Sequence, residues 1–200
     1  MEADPNPGTE ARPKSAPEAE TQPKAGPAVR EKQAFILGRR SVRVYAPGEV
    51  NEEAVTTMLE AAMAAPSAVD RDPWRFVVVR DQQTRTELAN SLTNGHMLLD
   101  ASLAIVVCGD LEAVYDRHLS YLLQDCAASI ENLLLSAHNL GLGTCWLAVH
   151  PDEMKVKRVR EILGLPPSVV PVACVPVGHP CSRHRPRTRF NPAHVHFEKW

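Results

Sequence analysis

The sequence lacks any apolar run approaching the roughly 18 residues of a membrane helix, and its start has no apolar stretch of signal-peptide type. A soluble, cytoplasmic protein with no membrane partner is expected. Cys-x-x-Cys pairs are absent. The five cysteines, Cys108, Cys126, Cys145, Cys174 and Cys181, are scattered, most of them inside apolar runs, and read as reduced core residues. Walker A, Gly-x-Ser-x-Gly and His-Glu-x-x-His segments are missing too, which removes the usual parts of nucleotide hydrolases, serine esterases and zinc proteases. Gly141-Leu142-Gly143 lacks the third glycine of a dinucleotide loop and follows a helix rather than a strand, so a Rossmann site is excluded. The net charge is only −2 over 200 residues, giving no general attraction to nucleic acid.

Residues 1–28 hold six of the seventeen prolines and no aromatic, leucine or isoleucine. Such a segment cannot bury enough apolar surface to offset the entropy of ordering it, so a disordered tail is expected there. From Val29 to Trp200 the composition is that of one ordinary domain. A short helix around Phe35, Ile36 and Leu37 stops at Gly38. Asn51 is an N-cap for an amphipathic helix carrying Val55, Met58, Leu59 and Ala62 and ended by Pro66. Phe76–Val79 and Leu103–Cys108 are short, unbroken and β-branched, as expected of strands buried on both faces, with a helix over Thr84–Leu92 between them.

From Leu119 to Leu140 there is no proline or glycine, and apolar residues cover much of the helix circumference. A helix of that length spans about 30 Å and must be surrounded by protein, either centrally or across a dimer interface. Thr144–Val149 reads as a third strand, Asp152–Leu163 as a helix stopped by Gly164, and Val170–Val177 as a fourth strand. Pro171 and Pro176 would lie at that strand's ends or on an edge, because they have no ladder donor. Helices around a sheet make the class α+β.

By composition alone, Arg39-Arg40-Ser41-Val42-Arg43 is a solvated basic turn after a helix end. A functional reading needs a polyanion, for which guanidinium forks suit a phosphate. The proline-bounded loop Pro66–Pro73 sits between a helix and a strand, where polar groups can meet a ligand, with Trp74 packed in the core. His194 and His196, with Cys181 and His184 upstream, fit no common zinc spacing, so no metal site is expected. The basic run Arg183–Arg189 has only Phe190 nearby for stacking, and nucleic acid is not an expected partner.

Together, five blocks in order resemble the nitroreductase family of FMN enzymes. They are Arg39-Arg40-Ser41-Val42-Arg43; Ala65-Pro66-Ser67-Ala68 through Pro73-Trp74-Arg75-Phe76; Gln124-Asp125-Cys126-Ala127-Ala128 with Asn132-Leu133-Leu134-Leu135; Gly141 through Leu147; and Pro186–Phe190 with Val195–Trp200. The likeness runs from about Gln33 to Trp200. It implies an α/β sandwich with a central, mostly antiparallel sheet flanked by helices. It also implies an intertwined homodimer with the long helix at its interface and two FMN molecules between subunits.

On that template Arg39 and Arg189 would hold the FMN phosphate, while Arg40 and Ser41 would contact the phosphate or ribityl region. Arg43 would face the pyrimidine edge, Pro66, Ser67 and Ala68 would line one side of the ring, and Trp146, Leu147 and Ala148 the other. Asp70 and Asp72 stand where the family usually has amides. A carboxylate only accepts hydrogen bonds, and two acids would oppose Arg43 unless they turn away or pair with a base.

The implied activity is hydride transfer from NAD(P)H to FMN and on to a nitroaromatic, quinone or flavin acceptor by a ping-pong scheme. The cofactor carries the chemistry, so no side chain is named as catalytic. Alternatives are flavin cleavage or reductive dehalogenation on the same fold, or a non-catalytic FMN-binding or RNA-contacting module.

Overall fold

A computed structural model describes residues 26–182 and 185–200. Residues 1–25 of the expected tail, and Arg183 and His184 of the basic run, lie outside the described residues. The first helix, α1, spans Pro27–Gly38 and buries none of its residues.

Helix α2 covers Glu52–Met63, with Asn51 Oδ1 accepting from the Ala54 N–H at 2.8 Å. It therefore stops three residues short of Pro66, at an Ala64 cap whose N–H still reaches back to carbonyls of the last turn. Asp81 caps α3, Gln82–Ser91, by accepting from the Thr84 N–H at 2.7 Å. Helix α4 runs from Leu119 to Asn139. Asp152 and Gly164 bracket α5, Glu153–Leu163, and Gly164 takes the left-handed φ of 62° that closes a helix without steric cost.

Six strands form one sheet in which every described pair is antiparallel: β1 Tyr45–Ala46, β2 Trp74–Val79, β3 Leu103–Asp110, β4 Gly143–Thr144, β5 Leu147–Ala148 and β6 Val169–Pro180. The order is β1-β6-β3-β2, and β4 and β5 also pair with β6. Side chains of β3 alternate between two cores. Leu103, Ile105 and Val107 join Met58 and Ala62 of α2 and Leu122, Ile130 and Leu133 of α4. Ala104, Val106 and Cys108 join Leu88 of α3 and Val159 of α5. The result is an α+β sandwich with helices on both faces of a mixed-length antiparallel sheet.

Four expectations change on contact with the structure. Strand β2 is an edge strand, with Arg75 and Val78 exposed, because it has β3 on only one side. The third strand is two short pieces, β4 and β5, interrupted at Cys145-Trp146. Pro171 and Pro176 lie inside the central strand β6, not at an end or edge. Pro171 falls at the bulge in the β3–β6 ladder, and Pro176 lies level with the gap between β4 and β5, so both stand where a ladder is already interrupted. Cys181 is exposed, unlike the other four cysteines, because it follows the end of β6.

In a single chain α4 buries one face only, through Leu122, Cys126, Ile130, Leu133, Leu134 and Ala137. Among the described residues no helix is long and apolar enough to cross a membrane. The packing of α4 on the sheet depends on Gly109, where an added Cβ would overlap the side chain of the fully buried Leu122. Gly109→Ala should therefore destabilise the fold by about 1–3 kcal/mol. Urea unfolding should show a lower midpoint at unchanged slope.

Candidate functional site

Arg39 leaves α1 in an extended conformation, and the chain that follows crosses β4. Ser41 forms a parallel bridge with Thr144, and the Val42 N–H donates to the Thr144 carbonyl at 2.8 Å. The crossing needs glycine at 143, where a Cβ would come within 2.7 Å of Val42 Cγ1. Tyr45 locks the segment from behind, its hydroxyl donating to the Val42 carbonyl at 2.9 Å and reaching the Pro176 carbonyl at 3.4 Å. Burial pushes the Tyr45 phenol well above its ordinary range, with Arg43 opposing in part, so it remains a donor.

The interruption between β4 and β5 lies under this segment. Cys145 is buried there, Trp146 is 37% exposed, Leu147 is buried and Ala148 is exposed. Burial raises the Cys145 thiol above its ordinary range, while Arg43, a hydrogen bond with the Ser41 side chain and Arg39 act in the opposite direction. The Ser41 bridge and the Val42 hydrogen bond to Thr144 hold this segment beside the break in the strand.

Arg39 also pairs with Glu131 of α4, Nε to Oε1 at 3.1 Å, which occupies one of its donors and leaves both terminal nitrogens of the guanidinium. Arg39 and Arg40 line a hollow of about 390 Å³ with Val42, Thr144 and His138. Burial and then Arg39 hold the His138 imidazole below its ordinary pKa, so it is neutral at neutral pH, and its ring stacks on Phe35 at 5.2 Å. The hollow does not extend to Arg43 or Trp146, which stand on the open surface.

The C-terminal arm, residues 185–200, is exposed throughout. It touches the domain where the Arg187 N–H donates to the Leu37 carbonyl at 3.3 Å. That contact brings the segment carrying Arg189 beside the segment that begins at Arg39, joining the two ends of the described chain.

A second group forms around the loop after α2. Val69, Asp70 and Asp72 have φ of 56°, 51° and 48°, a left-handed region that is costly for residues with a Cβ and most of all for β-branched valine. Two clasps hold it. Ser67 Oγ donates to Asp72 Oδ1 at 2.6 Å while the Asp72 N–H donates back to Ser67 Oγ at 3.0 Å. The Ala68 N–H donates to Asp125 Oδ1 of α4 at 3.0 Å. Arg75 fastens the far end through the Asp72 carbonyl at 3.2 Å and an ion pair with Asp110. Asp72 is thus turned into its own loop, whereas Asp70 is exposed.

The nitroreductase family model matches residues 36–110 and 90–179. The chain belongs to the nitroreductase family. It is 42% identical over 172 residues to a protein of Archaeoglobus fulgidus provisionally named an NADH dehydrogenase/NAD(P)H nitroreductase, covering 83% of this chain and 97% of that one. A solved structure of the same provisional name from Parabacteroides distasonis superposes with a TM-score of 0.80 at 36% identity, covering 85% of this chain and 99% of the other. A provisionally named nitroreductase of Desulfovibrio desulfuricans, solved in complex with FMN, gives 0.74 at 31% identity over 88% of this chain and 99% of that chain.

Of the expected site residues, Arg39 and Arg40 line the hollow with Thr144, Ser41 bridges Thr144, and Arg43 stands exposed on the same segment; Trp146 lies in the β4–β5 break, and Leu147, buried, and Ala148, exposed, form β5. Pro66, Ser67, Ala68 and Asp70 form the separate loop group. Among the described residues no hydrogen bond or ion pair joins the two groups within one chain. Sequence reasoning passed over Asp125, Glu131 and Thr144 as partners of Ala68, Arg39 and Ser41. The signal for the first two was available, since they are the only acids in α4 and one of them adjoins its apolar stripe.

Gly143→Ala should drive Val42 off β4. The expected outcome is a loss of stability of roughly 1–3 kcal/mol together with faster amide exchange over residues 39–46, read by mass spectrometry, while peptides from α5 keep their protection.

Proposed function

We propose that this chain is an FMN-dependent NAD(P)H oxidoreductase that acts as a homodimer on a nitroaromatic, quinone or flavin-type acceptor. The observation that carries this reading is that the segment holding Arg39, Arg40, Ser41 and Arg43 crosses β4 at Thr144, beside a strand break that exposes Trp146, with Ala148 exposed on β5. Guanidinium forks and a hydroxyl fit a phosphate and ribityl chain, and a half-exposed aromatic and aliphatic surface fits a flat heteroaromatic ring.

Arg39, through its two terminal nitrogens, and Arg189 from the arm hold the phosphate, with Arg40 and Ser41 beside them. Glu131 fixes the Arg39 side chain by its Nε and so orients the remaining donors. Arg43 supplies positive charge at the pyrimidine edge, where the ring gains electron density on reduction. Pro66, Ser67, Ala68 and Asp70 form one wall, and Trp146, Leu147 and Ala148 the other, with a backbone donor near Ala148. Bound there, FMN supplies hydride acceptance from NAD(P)H and electron delivery to the acceptor. No side chain is needed as nucleophile or general acid. Asp72 directs one carboxylate oxygen to Ser67 within its own loop.

A dimer is supported by what one chain leaves open. Phe190 is 76%, Phe197 82% and Trp200 fully exposed on the arm, and α1 buries nothing. A second copy would cover these surfaces and bring the loop of one subunit to the arginines of the other, with a flavin between them. Residues 29–200 are then one domain. The free buried thiols Cys108, Cys126, Cys145 and Cys174 suit a reducing cytoplasm.

The full chain, purified and scanned in the visible, should be yellow and release FMN in stoichiometric amount. NADH or NADPH should bleach it. A colourless protein that cannot be reconstituted with FMN would sink the reading. Arg39→Ala and Arg189→Ala should each weaken FMN binding roughly tenfold or more, the cost of a lost charge-assisted hydrogen bond.

A further inference from the structure

Helices α2 and α4 are held together by three side chains of α4 that grip backbone atoms. Ser136 Oγ donates to the Thr57 carbonyl at 3.3 Å, Asn132 Nδ2 donates to the Ala61 carbonyl at 3.1 Å, and Asp125 Oδ1 accepts from the Ala68 N–H at 3.0 Å. The steps match. Four residues up α2 correspond to four down α4, and the next seven to seven, so the three grips form one antiparallel seam along one face of α4. The first two hold a regular helix. The third holds the first amide of the loop in which Val69, Asp70 and Asp72 are left-handed.

Asp125 is an unusual choice for that task. Its residue is only 6% exposed, Oδ2 has no hydrogen-bond partner, and one turn further along the same face the Ser129 hydroxyl is fully buried and also unpartnered. Burying a carboxylate with an unsatisfied oxygen is costly, and an uncharged acceptor could take the same N–H without that cost. A charged acceptor, however, makes a hydrogen bond roughly twice as strong as a neutral one. The left-handed φ is costly for β-branched Val69 and less so for Asp70 and Asp72, and the stronger bond opposes its relaxation.

We propose that Asp125 is a positioning residue for the flavin: its ionised carboxylate, acting through the Ala68 amide, fixes the strained loop that presents Ser67 and Ala68, and protonation of Asp125 loosens that loop. The assignment of the loop to a flavin wall rests on the function proposed above; the hold of Asp125 on Ala68 does not. The charged groups around it are few. Asp72 of the loop disfavours its charge, Arg75 is engaged by the Asp72 and Trp74 carbonyls and by the Asp110 carboxylate, and on its own helix the neighbouring Cys126 thiol is turned to the Cys108 carbonyl of β3.

Burial, and then Asp72 against the Ala68 hydrogen bond, raise the Asp125 carboxyl above its ordinary value. The sign of the linkage follows. An acid whose folded pKa is raised binds more protons folded than unfolded in the window between the two values, so its ionisation lowers global stability as pH rises through that window. The loop responds in the opposite direction, because the acceptor is strongest when ionised. A residue present only for stability would not show this opposition.

The test compares wild type with Asp125→Asn, which keeps the shape and an acceptor oxygen but removes the charge. In the full chain, the Ala68 amide of wild type should lose protection against exchange as pH falls from neutral through the Asp125 titration, after correction for intrinsic rates. In Asp125→Asn it should be less protected at neutral pH and show no such step. The FMN dissociation constant should be roughly fivefold higher in the variant, and wild type should approach that value in acid, while unfolding at neutral pH is no easier in the variant. Equal Ala68 protection and equal FMN affinity in the two proteins at every pH would overturn the proposal. A wild type with the pH-dependent Ala68 step but no affinity for FMN would instead refute the flavin reading and with it the loop's role as a flavin wall.

Discussion

Strand β6 is the element on which the other parts depend, because both of its edges are in use. One edge pairs with β3 over almost its whole length, from Val177 opposite Leu103 to Val169 opposite Asp110. The other is divided among β5, β4 and β1 in turn. The division leaves a gap level with Pro176, which has no N–H to offer. At that gap the chain carries Cys145 inward and Trp146 outward, and Ser41 crosses onto Thr144 beside it. The arginine cluster therefore owes its location to a proline in the middle of a central strand: a continuous ladder there would have turned Trp146 into ordinary sheet.

The two faces of the sheet have different duties. The α3 and α5 side is an apolar core with the Arg85 guanidinium buried on the Leu98 and Ala101 carbonyls, and its thiols are inert, since burial pushes Cys108 and Cys174 up to about 12. The α2 and α4 side mixes an apolar face with the polar seam, so its helices are fixed both by packing and by register. The arm belongs to neither. Fully burying a large apolar side chain stabilises by roughly 1.5–3 kcal/mol, so leaving Phe190, Phe197 and Trp200 in water forgoes much of what a domain of this size has in net stability.

Much of this was legible in the sequence where local rules suffice. Asn51, Asp152 and Gly164 announced helix ends that the structure has, and the apolar spacing of α4 and the β-branched run of β3 survived intact. Apart from Cys181, which simply follows the end of β6, the errors share one cause: each depended on neighbours supplied by distant sequence. Phe76–Val79 resembles a buried strand, but whether a strand is central depends on how many strands flank it, and β2 has one. Pro171 and Pro176 looked like edge markers because the bulge and the β4–β5 gap that excuse them come from elsewhere in the chain. The same holds for the site. Arg39–Arg43 followed a helix C-terminus, a poor place for an anion, and acquires its meaning only by lying across β4, about a hundred residues away.

Charge is distributed across the site rather than balanced within each part. The cations stand on the sheet side and on the arm, and the acids Asp70, Asp72 and Asp125 stand on the loop and α4. Asp72 keeps its charge but is turned into its own loop by the Ser67 clasp, and Asp125 is buried behind the loop. An amide at position 72 could make the same clasp, so the acid is not required by the loop's geometry. Its effect is electrostatic: it sits against Asp125 and makes that carboxylate harder to ionise.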